Sequence, residues 1–343
     1  MTSVVAPERS RSDEGAAIAP AVEVHDLVKR YGDLAAVDGI NFSVAQGEIF
    51  AFLGPNGAGK STTIKVLCTL AHPTSGRAKV AGFDVATQAK SVRRHIGLVF
   101  QEQTLDDQLT AEENLRFHAV LYGVPREEVD GRISRVLGLV ALSDRRRDLV
   151  STYSGGMARR LEIARGMLHT PRVLFLDEPT VGLDPQTRAL IWDDIQRLRR
   201  EEGVTIFLTT HYMDEAEYAE RIGIIDHGSV IAIDTPDALK ASVGTDTVAL
   251  ETADDEAALA SLKLAGYEVE RTEDGLTAFV ADEEASVGPI VAAAGVPVRT
   301  VRAHRPTLDD VFLHFTGREI REQHGEAVPM FARARGARGA RRG

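Results

Sequence analysis

The sequence predicts an α/β protein built on a mostly parallel sheet, followed by a smaller α+β module. Three observations predict it. Ile49–Leu53 (IFAFL) and Val173–Leu176 (VLFL) are apolar on both faces, as central strands covered on two sides must be. Helical patterns separate these runs from similar ones at Ile96–Phe100 and Thr205–Leu208. After Gly244 the texture changes to short alternating elements.

Taken in order, residues 1–20 are rich in Ala, Ser, Pro and charge without periodicity and are expected to be a disordered leader. Alternation then begins: Val22, Val24 and Leu27, and next Val37, Ile40, Phe42 and Val44, predict amphipathic strands. The parallel α/β pattern runs to about Lys240, so residues 21–243 are assigned to one domain and 244–318 to an accessory one. In the latter, strands are expected at Val248–Glu251, Tyr267–Arg271, Leu276–Ala281 and Val296–Ala303. Helices are expected at Asp255–Ala265 and Glu283–Ala294, giving the β-α-β-β-α-β order of a ferredoxin-like module. PTLDDVFLHFTGR closes it as a helix with a Thr307/Asp310 capping box, an apolar face of Leu308, Val311, Phe312 and Phe315, and Gly317 at the C-cap. Residues 319–343 are read as a disordered tail bearing Arg333, Arg335, Arg338, Arg341 and Arg342. It is either solubilising or a weak contact for anionic lipid or nucleic acid.

Composition narrows the function classes. The 343 residues carry 40 Lys+Arg against 51 Asp+Glu, a net charge of −11, which disfavours nucleic-acid binding through bulk positive charge. A single cysteine excludes an internal disulfide and a thiolate-cluster metal site, and the ten histidines show no ligand spacing. The longest uncharged stretch, Ala285–Val298, falls short of the roughly 20 residues a spanning helix needs. The first residues show no apolar core of a secretory signal, so a cytoplasmic-type chain is expected. Cys68 is expected to be a small core residue, and Trp192 packing rather than a binding platform.

Three motifs carry chemistry. Gly54-Pro55-Asn56-Gly57-Ala58-Gly59-Lys60-Ser61 fits G-x-x-x-x-G-K-[ST] between a buried strand and a helix, and Thr62 continues that helix. Backbone N–H groups converge on phosphate only where no Cβ intervenes, and the helix start presents its positive dipole end to the same anion. Lys60 adds charge for the β- and γ-phosphates, and the Ser61 hydroxyl suits Mg²⁺. Asp177 and Glu178 end the second buried strand, where one carboxylate can organise the metal and the next orient or deprotonate an attacking water. Ser154-Gly155-Gly156 opens a helix over Met157–His169, with Ser154 as N-cap and the glycines leaving that helix end bare. It is a second anion-binding helix end in a chain with one nucleotide loop; ordinary capping is its plain alternative.

In this order the three motifs resemble the ATP-binding-cassette (ABC) ATPases, over about Val22 to Lys240. YSGGMARRLEIARGMLHTPRVLFLDEPTVGLDP joins signature, Walker B and D-loop at the family's spacing. The resemblance implies a P-loop NTPase fold of ABC type with a helical subdomain. It also implies roles for Gln101 (GLVFQE, the Q-loop glutamine), His211 (TTHYMDEAE, the switch histidine), Asp184 (GLDP, the D-loop aspartate) and Tyr31 (KRYGDL, the aromatic against adenine). Two departures stand out: Tyr153 replaces the leucine, and Met157 the glutamine, of the usual LSGGQ. The wording TYSGGMARRLEIARG and the ending PTLDDVFLHFTGR resemble the daunorubicin/doxorubicin-resistance type of exporter ATPase.

The resemblance implies that ATP and Mg²⁺ are bound by two copies packed head to tail. Each nucleotide would lie between the P-loop of one and Ser154–Gly156 of the other. Ser61, Gln101 and Asp177 would then hold the metal, Glu178, His211 and Lys60 would be catalytic, and a separate transmembrane permease would be the partner at the cytoplasmic face of the membrane. No specific nucleic-acid partner is expected. The rivals are a non-transport cassette ATPase acting on nucleic acid or the ribosome, the ATPase of a lipid or polysaccharide exporter, and a module that binds nucleotide only structurally. A single Walker A, no sustained heptads and an acidic balance weigh against the first. Glu178 and His211 weigh against the last.

Overall fold

Strand β3 (Ile49–Leu53) sends its side chains alternately into two separate cores. Ile49, Ala51 and Leu53 enter one, while Phe50 and Phe52 enter the other on the opposite face. This is why the run has no polar face. The computed structural model describes residues 19–317 apart from Thr245, residues 273–274 and residues 281–282. The expected tail, and all but the last two residues of the expected leader, lie outside the described residues.

β3 sits inside a six-stranded sheet of order β10-β9-β3-β8-β7-β6, with β6 Ile96–Val99, β7 Val173–Asp177, β8 Thr205–Thr210, β9 Arg221–Asp226 and β10 Ser229–Asp234. Its pairings are parallel except for the β9–β10 hairpin. β7 splits its residues as β3 does: Leu174 and Leu176 to one core, Val173 and Phe175 to the other.

The early strands depart from expectation. β1 (Val22–Tyr31), β2 (Leu34–Val44), β4 (Ser75–Val80) and β5 (Phe83–Asp84) form a separate antiparallel sheet of order β2-β1-β4-β5. Period-two alternation identifies a strand but says nothing of its partner. An aromatic cluster welds the two sheets: Phe207 lies 5.5 Å from Phe50, 5.5 Å from Phe175 and 5.9 Å from Phe42 of β2.

Helices cover the central sheet: α1 (Lys60–Leu67), α2 (Ala89–His95), α5 (Gly155–Met167), α6 (Pro185–Glu202), α7 (Met213–Ala216) and α8 (Pro236–Val243). Between β6 and α5 the chain forms the helical layer that the resemblance implies, α3 (Ala111–Leu121) and α4 (Arg126–Leu139). α3 starts on a full capping box of Thr110 with Glu113. Glu112 then ties this layer to its own exit loop, accepting from Arg146 Nε at 2.7 Å, Arg146 Nη2 at 2.8 Å and Arg116 at 2.8 Å. Trp192 of α6 is buried and stacks on Tyr218 at 4.9 Å, and Cys68 is buried, so both are packing residues as expected.

The C-terminal segment follows the expected order: β11 (Asp246–Thr252), α9 (Asp255–Leu264), β12 (Glu268–Thr272), β13 (Gly275–Val280), α10 (Glu283–Ala293) and β14 (Val298–His304). The sheet is fully antiparallel with order β12-β13-β11-β14, the interleaved arrangement of a ferredoxin-like module. It has its own core, including Val248, Leu250, Leu262, Leu276 and Ile290. α11 (Leu308–Thr316) carries the expected Thr307/Asp310 capping box and ends on Gly317 at φ 68°. It then leaves the module: Leu308, Val311 and Phe312 are buried in the main core with Leu239 of α8.

The hydrogen bonds from Arg146 and Arg116 hold the Glu112 carboxyl down at about 2, against an ordinary 4.5. The stabilisation is therefore complete above pH 4.5 and lost as pH falls toward 2. Glu112→Gln should lower the thermal midpoint at pH 7 by on the order of a degree or two, the scale of a solvent-screened pair. The gap to wild type should close between pH 4.5 and 2; a constant gap in thermal scans would refute the assignment.

Candidate functional site

The C-terminal ends of β3, β7 and β8 lie side by side, Ala51 pairing with Leu208 and Leu176 with Leu208. Everything that follows these ends is therefore delivered to one place. After β3 comes the loop 54–59. It is anchored by the Gly54 N–H donating to Thr210 O at 3.3 Å, and its far side is clamped by Ala36 of β2. Gly59 stands at φ 109° as the N-cap of α1, and a Cβ there would lie 2.4 Å from Ala36 O. Only glycine satisfies both demands. Asn56 and Gly57 are exposed at the tip, Pro55 is half-buried, Ala58 is buried, and Thr62 is half-buried on the first turn of α1.

Lys60 is almost fully buried. Its Nζ donates to Gly54 O at 2.7 Å and Pro55 O at 3.2 Å and lies 3.2 Å from Glu178 Oε1. Ser61 Oγ donates to Asp177 Oδ1 at 3.0 Å, and Thr209 Oγ1 donates to the same oxygen at 2.7 Å. His211 Nδ1 stands 3.4 Å from Glu178 Oε2, buried and without a hydrogen-bond partner, a long contact of the kind that closes around substrate. Burial lowers the Lys60 pKa, opposed by the charges of Glu178 and Asp177. Burial pushes Glu178 up, but the His211 imidazole and the Lys60 ammonium outweigh it and hold the carboxyl below its ordinary range. Glu178 is thus an anion at neutral pH, suited to orienting a water more than to strong proton abstraction. Its backbone is at φ 47°, a conformation costing a non-glycine residue on the order of 1–3 kcal/mol.

The structure thus brings Lys60, Ser61, Asp177, Glu178 and His211 into one contact chain. Gln101, Tyr31, Asp184 and Ser154–Gly156 share no hydrogen bond or ion pair with it among the described residues. Gln101 is exposed, two residues beyond β6. Tyr31 is half-exposed on the β1–β2 hairpin, with Lys29 Nζ 4.8 Å above its ring. Asp184 caps α6, accepting from Thr187 N at 3.0 Å and Thr187 Oγ1 at 2.6 Å.

Ser154 caps α5 through Met157 N at 3.3 Å, as expected, but the helix begins at Gly155, so the glycines form its first turn. Gly156 has a packing reason as well: a Cβ would lie 2.2 Å from Thr187 Cγ2. The two departures from the usual signature also have local reasons. The Tyr153 hydroxyl donates to Arg145 O at 2.7 Å, and Met157 packs against the main core.

Sequence reasoning missed Thr209, Thr210 and Arg159. The threonines were visible as the polar end of an apolar strand, TIFLTT. Thr209 also accepts the Glu178 N–H, through Oγ1 at 3.0 Å. The residues present fit a magnesium-bound nucleotide. A hydroxyl and a carboxylate meet beside a glycine loop whose Gly57 and Gly59 stand at positive φ, with an unpartnered imidazole nitrogen aimed at the second carboxylate.

A strand, a glycine loop closed by Lys-Ser, a helix and a strand-end carboxylate pair define a P-loop nucleotide-binding cassette. Residues 37–181 match the family model of ABC transporters, and 235–316 that of the DrrA1-3-like ATP-binding protein C-terminal domain. The daunorubicin resistance ATP-binding protein DrrA3 of Streptomyces coeruleorubidus is 43% identical over 308 residues, 88% of this chain and 97% of that one. The linearmycin resistance ATP-binding protein LnrL of Bacillus subtilis is 38% identical over 88% of this chain and all of that one. A dimeric ATP-binding cassette solved in a post-hydrolysis state with ADP and Pi superposes with a TM-score of 0.57 at 28% identity, over 62% of this chain and 98% of that one. The chain belongs to the ABC transporter ATP-binding proteins, in their daunorubicin-resistance type.

Gly59→Ala should cost at least tenfold in ATP affinity, because the added methyl must displace the loop from Ala36 O. Equilibrium binding of a fluorescent ATP analogue at the wild-type value would contradict this reading of the loop.

Proposed function

We propose that this chain is the ATP-hydrolysing subunit of an exporter. Two copies would sandwich Mg-ATP at the cytoplasmic face of the membrane and drive efflux of a drug-like or other hydrophobic compound through a separate permease. The observation that carries the reading is the buried chain Lys60–Glu178–His211 beside the Ser61–Asp177 pair, a constellation built around a phosphoryl group and a water. Ser61, Asp177 and Gln101 would hold Mg²⁺, which when bound neutralises phosphate charge. Lys60 and the N–H groups of 57–62 would orient the phosphates, and Tyr31 would lie against the base. Glu178 would align the attacking water, and His211 would report on the γ-phosphate.

The head-to-tail dimer draws support from the contacts of the signature segment. Gly155 and Gly156 approach Leu183 and Thr187, whereas the P-loop approaches Ala36, Thr210 and Ile225, so the two sets share no residue. A second anion-binding helix end with neighbours other than those of the chain's own phosphate loop suits the nucleotide of another copy, and the dimeric relative holds ADP and Pi. Loss of the γ-phosphate would then weaken the dimer.

For the permease, support comes from a groove of about 680 Å³ lined by Lys90, Arg93, Arg94, Phe100, Leu121 and Tyr122. Val120 and Leu121 of α3, which line it, and Phe117 on the same helix are exposed, so apolar side chains and cations share this surface. No helix among the described residues is long and apolar enough to cross a membrane, so the translocation path would be the permease's. Two relatives of this chain are named for resistance to different compounds, daunorubicin and linearmycin. The cargo is therefore best assigned to the permease and tested with it.

Glu178→Gln should keep ATP binding, cut turnover to a small residual rate and trap the dimer in ATP, read by light scattering. An unchanged monomer–dimer distribution with wild-type phosphate release would remove Glu178 from its role. Lys60→Ala should lower turnover roughly 10²-fold or more, the scale of losing one charge-stabilising donor in a closed site. Full phosphate release by that variant would reject the assignment.

A further inference from the structure

α5 presents Arg159, Glu162 and Arg165 on one face, three residues apart, and all three are buried. The Arg159 guanidinium is fully subscribed. Its Nε donates to Pro179 O at 2.7 Å, and Nη2 donates to Asp177 O at 3.1 Å and Glu178 O at 3.2 Å. Nη1 donates to Phe100 O and, at 3.0 Å, to Glu162 Oε2. Three consecutive carbonyls that run past the end of β7, including that of the left-handed Glu178, thus face a single planar fork. The adjoining pair holds the segment that carries Gln101. Glu162 Oε1 accepts from Thr104 N at 2.7 Å, and Arg165 Nη1 donates to Thr104 O at 3.0 Å.

We infer that Arg159 is a positioning residue for Glu178. It fixes the backbone turn that aims the carboxylate, and it links that turn to the signature helix on one side and the Gln101 segment on the other. The inference rests on the catalytic reading of Glu178 given above. The chemistry demands an arginine. Five N–H groups in a rigid plane meet four carbonyls and a carboxylate, whereas a lysine brings three on one nitrogen and cannot hold the three strand-end carbonyls together with Phe100. Glu162, buried beside it, neutralises the charge so that the fork can stay dry. Because Arg159 is about a turn and a half of α5 beyond Ser154, a shift of the helix start moves the fork, and the fork moves the carbonyl of the water-orienting residue.

The test compares Arg159→Lys, Glu178→Gln and the double variant in the full-length chain, by fluorescent-nucleotide binding and steady-state phosphate release. Arg159→Lys should bind ATP within about twofold of wild type and lose about tenfold or more in kcat, the pattern of an interaction realised in the transition state. In the Glu178→Gln background it should add almost nothing, because the group it positions has gone. Wild-type kcat in Arg159→Lys, a parallel loss of binding and kcat, or multiplicative losses in the double variant would each overturn the inference. A Glu178→Gln variant that turns over at the wild-type rate would instead sink the catalytic reading beneath it. Should Arg159→Lys not fold, Glu162→Gln frees the same fork from one side only. It carries the same expectation, and wild-type turnover there counts equally against the inference.

Discussion

A lysine and a glutamate buried together at the tip of a parallel sheet are the constraint on which the rest of this molecule turns. Either charge alone, desolvated as Lys60 and Glu178 are, would be expensive. At 3.2 Å, with His211 behind the glutamate and two loop carbonyls on the lysine, each makes the other tolerable. The pair forms where the ends of β3 and β7, with β8 between them, converge and both are closed from water. That requirement accounts for the doubly buried β3 and β7, the two-sided core and the aromatic weld between the sheets. A site that binds a polyanion must supply positive charge before the anion arrives, and the glutamate lets that charge be stored in a dry place.

The elements around this pair divide the labour by stiffness. Sheet strands deliver the side chains, and glycine lets backbone come close where a Cβ could not, at Gly59 against Ala36 and at Gly156 against Thr187. Helix α5 does both kinds of work. Its first turn is the signature segment, its interior face grips the carbonyls beyond β7, and Arg160 pins it to Asp194 of α6 at 2.6 Å. Burial raises the Asp194 carboxyl and the arginine opposes it, the expected contest for an acid sealed under a helix. The same helix therefore touches the signature turn, the strand end that bears Glu178 and α6.

Much of this was legible in the residues, and what was not has a physical reason. IFAFL and VLFL announced central strands because both faces are covered, and G-x-x-x-x-G-K-S announced a phosphate cradle because the spacing is dictated by backbone geometry. The β-α-β-β-α-β order of residues 246–304 was readable from the pattern of short elements, and the capping box at Thr307 and Asp310 was readable to the residue. Strand pairing was not readable. Nothing in Val22–Leu27 or Val37–Val44 distinguishes a lone antiparallel sheet from the edge of a parallel one. Arg159, Glu162 and Arg165 were equally silent, since an i, i+3, i+6 charge pattern on a helix ordinarily marks a solvated face. Asp184 was read through its resemblance, and its side chain is in fact occupied in capping α6. Tyr153 and Met157 looked like defects in a motif and turned out to be a carbonyl anchor and a core contact.

The boundary of the C-terminal module is where packing and sequence texture part company. Texture changes at Gly244, but the hydrophobic contacts place α11 with the cassette: Leu308, Val311 and Phe312 lie in the same core as Leu239 of α8 and the central strands. The ferredoxin-like sheet between them has a core of its own. The module is thus a loop-out held at both ends, leaving the cassette after α8 and returning in α11, and the match of the DrrA-type model to 235–316 spans both of these helices. An insertion tied at both ends cannot swing on a single linker. Its four-stranded sheet is therefore tethered to the cassette on both sides, at one of them by the apolar burial of a helix that the sequence had grouped with the module.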